Sequence, residues 1–248
     1  MNRAPSSHTP DWRLPRGVSR GLWDYIHAPH IADQYDEYFA YNSLFEFDEA
    51  ILARHFTKPG RIIDLGCGTG RLLVPFARRG FAGVGVDLSQ HMLDVVREKA
   101  ELENLPISCV MANITELDCF ADNAAEYAIC MFSTLGMIRG RENRLQVLRH
   151  ARRIVKPGGV FVLHVHNRWY NLFDPQGRRW LLQNAIGSKL HRDEEPGDKI
   201  YDYRGIRNVF LHTFTQGELT ADLKAAGFTI RECVTLDTTR HRPLTRPW

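Results

Sequence analysis

The chain has 248 residues, 44% of them hydrophobic, and a formal net charge of +3 at pH 7, which suits one globular domain and does not demand a nucleic-acid partner. No apolar run approaches the roughly 20 residues of a membrane-spanning helix, and the N-terminus lacks the apolar segment of a secretion signal. The five cysteines form no CxxC pair, so we expect reduced thiols in a cytoplasmic protein.

The first quarter of the chain divides into an arm and a helical segment. Residues 1–21 are rich in proline, arginine and serine, and we expect them to form a poorly ordered arm. Residues 22–56 show the broken apolar stripes of short helices and an unusually dense set of aromatic residues. This segment either packs on a sheet as ordinary helices or closes as a lid, in which Tyr35 and Tyr41 would face a cationic ligand.

The stretch 61–70, RIIDLGCGTG, predicts a buried strand that ends in a glycine-rich turn. Glycines at 66, 68 and 70 remove Cβ atoms where a strand turns sharply and a ligand or another backbone must approach. Residues 71–79 have helical spacing and stop at Gly80. A strand, a glycine turn and a helix in this order indicate a nucleotide site at the carboxyl edge of a parallel sheet.

Asp64 stands before the first glycine, so the motif reads DxGxGxG and differs from the GxGxxG of dinucleotide folds. A carboxylate at this position argues against a phosphate ligand and favours a cationic one. A tight turn with no ligand is the alternative interpretation.

The second predicted strand, residues 83–88, ends in Asp87, and Ser89 then caps a helix over residues 90–103. An acid at the end of this strand can accept hydrogen bonds from both ribose hydroxyls of a nucleotide, a device that dehydrogenases also use. Leu88 and Met92 either flank an adenine ring or belong to the core.

Three further strands are predicted at residues 107–111, 126–132 and 160–165. An amphipathic helix over residues 141–155 carries a basic face with Arg144, Arg149, Arg152 and Arg153, which is more typical of a solvated surface than of a nucleic-acid site. The helix ends in the turn KPGG at residues 156–159.

The glycine motif with Asp64, Asp87 and the KPGG turn, at their mutual spacings, resembles the class I Rossmann-like S-adenosylmethionine-dependent methyltransferase family over residues 61–165. The resemblance implies an α/β fold with a doubly wound, mostly parallel sheet and helices on both faces. It also implies S-adenosylmethionine as the cofactor, with S-adenosylhomocysteine as its product.

The resemblance assigns the cofactor contacts residue by residue. Asp64 and the backbone of Gly66 would hold the amino group, and Asp87 the ribose. Asn113, where the family usually has an acid, would accept from the adenine amino group. The other residues assigned to the cofactor are Cys67, Gly68, Gly70, Leu88, Met92, Ile114, Phe132, Tyr35 and Tyr41.

The sequence after the fourth strand, FSTLG, lacks the Asn/Asp-Pro-Pro-Tyr/Phe signature of nucleobase amino-group methyltransferases and has no Pro-Cys nucleophile. In the fifth strand His164 and His166 share a face, and we assign His164 to the core. His166 lies nearer the carboxyl end and is the candidate general base, with Tyr170 as a second candidate catalytic residue. No further ligand stands in register with the two histidines, so we predict no metal site.

We predict a single domain over residues 22–248: a lid (22–56), a cofactor-binding core (57–166), a substrate cap (167–214), and a C-terminal helix and strand (215–248). The cap is inferred because residues 167–214 are too long and too rich in aromatic residues for a simple connection. A strand is predicted at 208–214, a helix at 216–226 and a strand at 228–236. Either the 208–214 strand replaces the usual last strand of the sheet, or the sheet is one strand short.

The predicted function is in-line transfer of a methyl group to an oxygen or nitrogen atom of a small-molecule acceptor, without membrane association. One alternative is a tRNA methyltransferase of the wobble-uridine type, for which the many arginines could bind RNA. Another is a regulator that binds the cofactor without turnover. A dehydrogenase is the least favoured reading.

Overall fold

The computed structural model describes residues 9–39, 43–190, 194–237 and 243–244. The helices are α1 (Arg20–Ile26), α2 (Pro29–Asp33), α3 (Tyr35–Phe39), α4 (Ser43–His55), α5 (Leu73–Arg78), α6 (Gln90–Leu102), α7 (Arg141–Ile154), α8 (Pro175–Leu190) and α9 (Gln216–Ala225). The strands are β1 (Arg61–Leu65), β2 (Ala82–Asp87), β3 (Ile107–Met111), β4 (Ala125–Cys130), β5 (Val155–Leu163), β6 (Asp198–Tyr203) and β7 (Ile206–His212).

Strands β1 to β5 form one parallel sheet in the order β3-β2-β1-β4-β5. The predicted α/β fold with a doubly wound parallel sheet is confirmed. The strand order reverses between β1 and β4, and in such sheets a crevice opens at this point beyond the carboxyl ends of the strands.

The two faces of the sheet are covered by separate apolar clusters, because successive side chains of a strand point to opposite faces. Ile62 packs with Phe76 on one face, and Ile63 packs with Val147 on the other. Asp64 is buried among these residues in β1, with only 3% of its surface exposed. A buried carboxylate in a central strand is costly unless a ligand or a partner compensates it, so its position points to function.

The last third of the chain differs from the sequence-based expectation. Strand β7 pairs with β6 in a separate antiparallel hairpin, because a tight turn at Arg204 and Gly205 brings the two strands together. The five-stranded sheet therefore lacks the last strand that residues 208–214 could have supplied. A sheet without that strand was one of the two predicted alternatives. The hairpin still returns to the sheet, since the Phe214 amide donates to the His166 carbonyl at 2.9 Å.

The predicted strand at residues 228–236 is wrong, since the structure has no strand there. No described strand pairs with residues 228–235, and side-chain contacts hold the segment instead. Glu232 faces outward, where its carboxylate contacts Arg54 and His55 of α4, the latter at 2.7 Å. The segment is thus held by side chains on the surface of the domain instead of by a β-ladder.

The described part of the N-terminal arm, residues 9–21, also differs from the poor order expected for residues 1–21. Val18 is buried in a small cluster with Leu22 and Ile26. The carbonyl of Gly17 accepts from the Arg139 amide at 2.8 Å, and the carbonyl of Arg16 accepts from the Asn113 side chain at 2.9 Å. These contacts seat the arm against the carboxyl edge of the sheet.

Helices α1 to α3 and the β6–β7 hairpin meet above this edge. Helix α1 packs on β7, and a Cβ at Gly21 would overlap the backbone of Asn208. In α3, Asp36 accepts a hydrogen bond of 2.6 Å from the Thr69 hydroxyl, in the glycine turn. Within the part of the chain that the structure describes, no helix is long and apolar enough to cross a membrane.

Candidate functional site

A cavity of about 580 Å³ lies beyond the carboxyl ends of the central strands, beneath the N-terminal helices and the β6–β7 hairpin. Most of the residues predicted from the sequence line it together. They are Tyr35, Asp64, Gly66, Cys67, Gly68, Asp87, Leu88, Met92, Asn113, Ile114, Phe132, His166 and Tyr170. Two predicted residues are not in this set: Gly70, and Tyr41, which lies outside the described residues.

The glycine turn has the backbone conformation that its sequence requires. Gly66, Gly68 and Gly70 have φ angles of +82°, +52° and +77°, a region that disfavours residues with a Cβ. A Cβ at Gly66 would overlap the side chain of Thr134, whereas one at Gly68 would lie 3.9 Å from the Tyr35 ring. A Cβ at Gly70 would lie 3.1 Å from the side chain of Val96 in α6, so this glycine allows close packing of the turn against that helix.

Asp64 is the buried acid of the cavity. Desolvation raises the pKa of its carboxyl to about 7, while the nearby Arg71 partly opposes this shift and Asp87 adds to it. No hydrogen-bond donor among the described residues contacts its side chain. A carboxylate with these properties is ready to accept a cationic donor from a ligand.

Arg71 follows the glycine turn and was not predicted from the sequence. Its Nη2 donates to Asp48 at 2.8 Å, and its guanidinium carbon lies 3.8 Å from the centre of the Phe45 ring. Its Nη1 is buried and has no hydrogen-bond partner among the described residues. Asp64 and Arg71 thus present opposite charges to one cavity, each with hydrogen-bonding capacity left over.

Asp87 is fixed by two backbone amides at the end of β2. Gly68 donates to its Oδ2 at 2.9 Å, and Ser89 donates to its Oδ1 at 2.8 Å. Burial raises the pKa of this carboxyl, and the amides partly offset the rise. Each oxygen retains lone pairs that a pair of neighbouring hydroxyl groups could use.

The remaining predicted cofactor residues form an apolar slot around one amide. Met92 and Ile114 are buried, and Leu88 is half-buried. Asn113 donates to the N-terminal arm through its Nδ2, and its Oδ1 accepts from the Thr115 amide at 3.2 Å. The Asn113 oxygen therefore keeps one acceptor position for a ligand.

Tyrosines from the N-terminal helices close the cavity on the side of the glycine turn. Burial raises the pKa of Tyr25 and of Tyr35, with additional repulsion from Asp87 in both cases. Tyr25 was missed in the sequence, where nothing distinguishes it from its neighbours. Both phenols stay neutral near pH 7 and offer ring faces and O–H groups.

The chain bends sharply after β4. Phe132 and Ser133 have φ angles of +53° and +66°, unusual for residues that carry a side chain. The bend lets the Ser133 hydroxyl accept from the His166 amide at 3.2 Å, and the ring of Phe132 packs edge-on against Phe45. Strained backbone of this kind is concentrated at binding sites, where surrounding contacts hold it.

The two histidines of the fifth strand have different environments. His164 Nδ1 lies 3.4 Å from the buried Asp48 carboxylate, so it belongs to the Arg71–Asp48 cluster beneath the site. His166 is accessible through the cavity. Desolvation, together with repulsion from His164 and Lys199, lowers its pKa to about 4. His166 is therefore neutral near pH 7 and can accept a proton or hydrogen bond, although its basicity in this state is weak.

The cap contributes lining residues that the sequence reasoning did not identify, among them Asn171, Lys199, Tyr201, Tyr203 and Thr213. Lys199, Tyr201 and Tyr203 alternate along β6, so they share one face of the hairpin. This period-two pattern was the signal that could have revealed them. Within the described residues, no group of three histidine, cysteine or acidic side chains is arranged to hold a metal ion.

Comparison with known proteins agrees with this geometry. Residues 62–159 match the protein family described as a methyltransferase domain. A Geobacillus protein with a provisional methyltransferase name is 33% identical over 109 residues, covering 44% of this chain and 43% of that protein. The demethylmenaquinone methyltransferase of Staphylococcus aureus is 27% identical over 186 residues, covering 64% of this chain and 73% of that enzyme. The match to the Geobacillus protein and to a similar Bacillus subtilis protein spans about half the length of each.

Two solved structures share the fold. An S-adenosylmethionine-dependent methyltransferase of Methanosarcina mazei superposes with a TM-score of 0.65 at 21% identity, covering 78% of this chain and 92% of that one. The 1,6-didemethyltoxoflavin-N1-methyltransferase of Burkholderia thailandensis was solved with S-adenosylhomocysteine. It superposes with a TM-score of 0.59 at 18% identity, covering 87% of this chain and 82% of that one. The predicted resemblance is confirmed by these matches: residues 62–159 match a methyltransferase domain, and the structure has the fold of solved S-adenosylmethionine-dependent methyltransferases.

Proposed function

We propose that this protein, whose residues 62–159 form a methyltransferase domain, transfers a methyl group from S-adenosylmethionine to an oxygen or nitrogen atom of a small molecule. The observation that carries the proposal is the pair of opposite charges in the cavity, Asp64 and Arg71. The amino-acid end of S-adenosylmethionine has one ammonium and one carboxylate, which this pair complements. A nicotinamide or flavin dinucleotide has no such zwitterion to place there.

The remaining cofactor contacts follow from the positions of the polar groups. Asp87 accepts from the ribose hydroxyls, because its two oxygens are held in place by Gly68 and Ser89. The adenine lies in the slot of Met92, Leu88 and Ile114, with its amino group near Asn113. Burying these groups together excludes water from the site.

Bound S-adenosylmethionine supplies the methyl group: its sulfonium–carbon bond breaks as a bond to the acceptor oxygen or nitrogen forms, and the electron pair remains on a thioether sulfur. The residues of this chain align the acceptor and cover the site, and alignment of this kind supplies much of the rate in bimolecular transfers. Tyr25 and Tyr35 place aromatic faces and neutral hydroxyls beside the glycine turn, where a cation is favoured. His166 accepts the proton that the acceptor loses.

The acceptor end of the cavity favours a small molecule. Aromatic and polar side chains of the 3₁₀ helix Arg168–Phe173 and of β6 line this end of the cavity. Small-molecule sites are commonly lined in this way. Residues 22–56 act as a lid and residues 167–214 as a substrate cap in this proposal. The Burkholderia neighbour is named for methylating a small heterocycle, which fits this reading.

Three arginines of α7 that pair with acids argue against the tRNA alternative. Arg144 is buried against Glu195, Arg149 pairs with Glu142 at 2.6 Å, and Arg153 pairs with Asp122 at 2.8 Å. Paired cations contribute little to phosphate binding, because that binding depends on free positive charges that displace counterions from the phosphates.

The test combines binding with turnover. Purified protein is titrated with S-adenosylhomocysteine by calorimetry and then incubated with methyl-labelled S-adenosylmethionine, a panel of phenols, amines and heterocycles, and bulk tRNA. We expect binding, with label transferred to a member of the small-molecule panel. Binding with label on tRNA alone would favour the tRNA alternative, and binding without transfer to any acceptor would favour the regulator. Absence of binding would refute the assignment as a whole.

A further inference from the structure

One cation at the acceptor end of the cavity has no acidic partner within the part of the chain that the structure describes. Lys199 lies on the face of β6 that also carries Tyr201 and Tyr203. Its Nζ is 3.3 Å from the amide oxygen of Asn171 and 5.4 Å from the centre of the Trp180 ring. Among the described residues, no carboxylate forms a salt bridge with it. The positive charge is therefore directed to a neutral amide, an aromatic ring and the cavity.

The acids near Lys199 are engaged elsewhere. Asp174 also lines the cavity, but its Oδ1 accepts from the amides of Gln176 and Gly177 at the start of α8. Asp198, the preceding residue of β6, points away from the cavity. Its carboxylate instead contacts the fully buried His212, with the Asp198 Oδ1–His212 Nδ1 distance at 2.7 Å.

Apart from the Asp174 carboxylate that caps α8, two further titratable side chains at this end, His166 and Tyr201, bring no competing charge. His166 is neutral near pH 7 because desolvation, together with repulsion from His164 and Lys199, lowers its pKa. Burial raises the pKa of the Tyr201 phenol, so that group is neutral as well. The acceptor end thus combines the positive charge of Lys199 and one capped carboxylate with aromatic surfaces and hydrogen-bonding groups. Lys199 and the rings beside it complement a planar ring bearing an anion.

We propose that the methyl acceptor is a small aromatic carboxylic acid, whose carboxylate is bound by Lys199 and whose nucleophilic oxygen or nitrogen faces His166. This inference rests on the proposed methyltransferase function and narrows its substrate class. The carboxylate also supports the transfer step. It offsets the Lys199 charge, which adds to desolvation in lowering the pKa of His166, so His166 becomes a better base when the acceptor is bound.

The test uses acids and the corresponding amides, which match in size and shape but differ in charge. The full-length protein, saturated with S-adenosylhomocysteine, is titrated with 4-hydroxybenzoate against 4-hydroxybenzamide and with 4-aminobenzoate against 4-aminobenzamide. We expect at least one acid to bind at least tenfold more tightly than its amide. The preference should disappear in Lys199→Met, persist in Lys199→Arg, and be unchanged in Lys224→Met, a control on the exposed side of α9.

Three outcomes would overturn the inference: amides that bind as tightly as the acids, a preference that survives in Lys199→Met, or no binding of either acid at millimolar concentration. Saturation with S-adenosylhomocysteine is measured first, in the same calorimeter. If the protein does not take up that compound, the proposed function fails. The same acid and amide titrations without cofactor then decide separately whether Lys199 selects an anion.

Discussion

The backbone amide of Gly68 donates a hydrogen bond of 2.9 Å to the Oδ2 of Asp87, and this bond ties the glycine turn after β1 to the end of β2. The two residues belong to different motifs in the sequence and become one unit in the structure. Because the Ser89 amide holds the other oxygen at 2.8 Å, the carboxylate is oriented before any ligand arrives. Such preorganisation lowers the cost of binding a nucleoside.

Replacing Asp87 with alanine should therefore weaken the binding of S-adenosylhomocysteine by about 1–3 kcal/mol, the cost of leaving buried polar partners unpaired. Calorimetric titration measures the change. Asp94→Ala, an exposed position on α6, serves as the matched control and should leave the affinity unaltered. An Asp87→Ala protein that stays folded and keeps its full affinity would remove the ribose assignment.

Two glycines with a positive φ allow a test of fold stability that needs no ligand: Gly66 in the turn after β1, and Gly80 after α5. Gly66 and Gly80 have nearly equal φ angles of +82° and +87°, but a Cβ at Gly66 would overlap Thr134, whereas a Cβ at Gly80 would meet no atom within 4 Å. Gly80→Ala should cost about 1–2 kcal/mol of unfolding free energy, the strain of a left-handed residue alone. Gly66→Ala should cost clearly more, because steric overlap is added to the same strain.

Denaturant unfolding of the two variants gives the comparison. Equal losses would mean that the chain relaxes around Thr134 without cost, and the tight fit inferred at Gly66 would then be wrong.

The pattern of the sequence was sufficient to predict the sheet and many of the residues that line the cavity. Strands such as β1 and β2 are buried on both faces and read as apolar runs, and the glycines and acids at their ends lie at one edge for geometric reasons. Predictions for Asp64, Asp87, Asn113 and Met92 therefore fell on residues that line one cavity.

Contacts between distant segments could not be predicted in the same way. Arg71 has its place because Asp48 and Phe45 of α4 hold it, and no local pattern shows that partnership. The positive φ angles of Phe132 and Ser133 have no signal in their residue types. The strand expected at residues 228–236 failed because an alternating pattern does not reveal whether a neighbouring strand is available to pair.

The raised pKa of Asp64 should make the affinity for the cofactor depend on pH. Burial raises its pKa to about 7, and a bound ammonium group stabilises the ionised form. Below pH 7 the ligand must displace a proton, so the affinity for S-adenosylhomocysteine should fall by about tenfold, or ~1.4 kcal/mol, per pH unit down to pH 5.5. Above pH 7 the group is already ionised, and the affinity should level off.

Calorimetry between pH 5.5 and 7.5, repeated in buffers of different ionisation enthalpy, measures both the slope and the released proton. In Asp64→Asn the binding should be weaker and its slope absent. A wild-type affinity that is independent of pH over this range would contradict the assignment of the ammonium group to Asp64.

The lowered pKa of His166 gives a second prediction, and it can be tested without a methyl acceptor. Desolvation and repulsion from His164 and Lys199 lower its pKa to about 4, so its ring signals in an NMR titration should move well below pH 6. Lys199→Met removes one of the repelling charges and should raise this pKa, whereas Lys224→Met should not. If the His166 signal titrates near pH 6.5 in every variant, the two side chains do not interact.

The central claim is that Asp64 and Arg71 bind the amino-acid end of the cofactor. It is tested most directly by comparing S-adenosylhomocysteine with 5′-methylthioadenosine, which has the same nucleoside and a thioether sulfur but no ammonium or carboxylate. We expect calorimetry to show at least a hundredfold preference for S-adenosylhomocysteine, strongly reduced in Asp64→Asn and in Arg71→Met. Equal affinities for the two compounds, or tighter binding of a nicotinamide dinucleotide, would contradict the account.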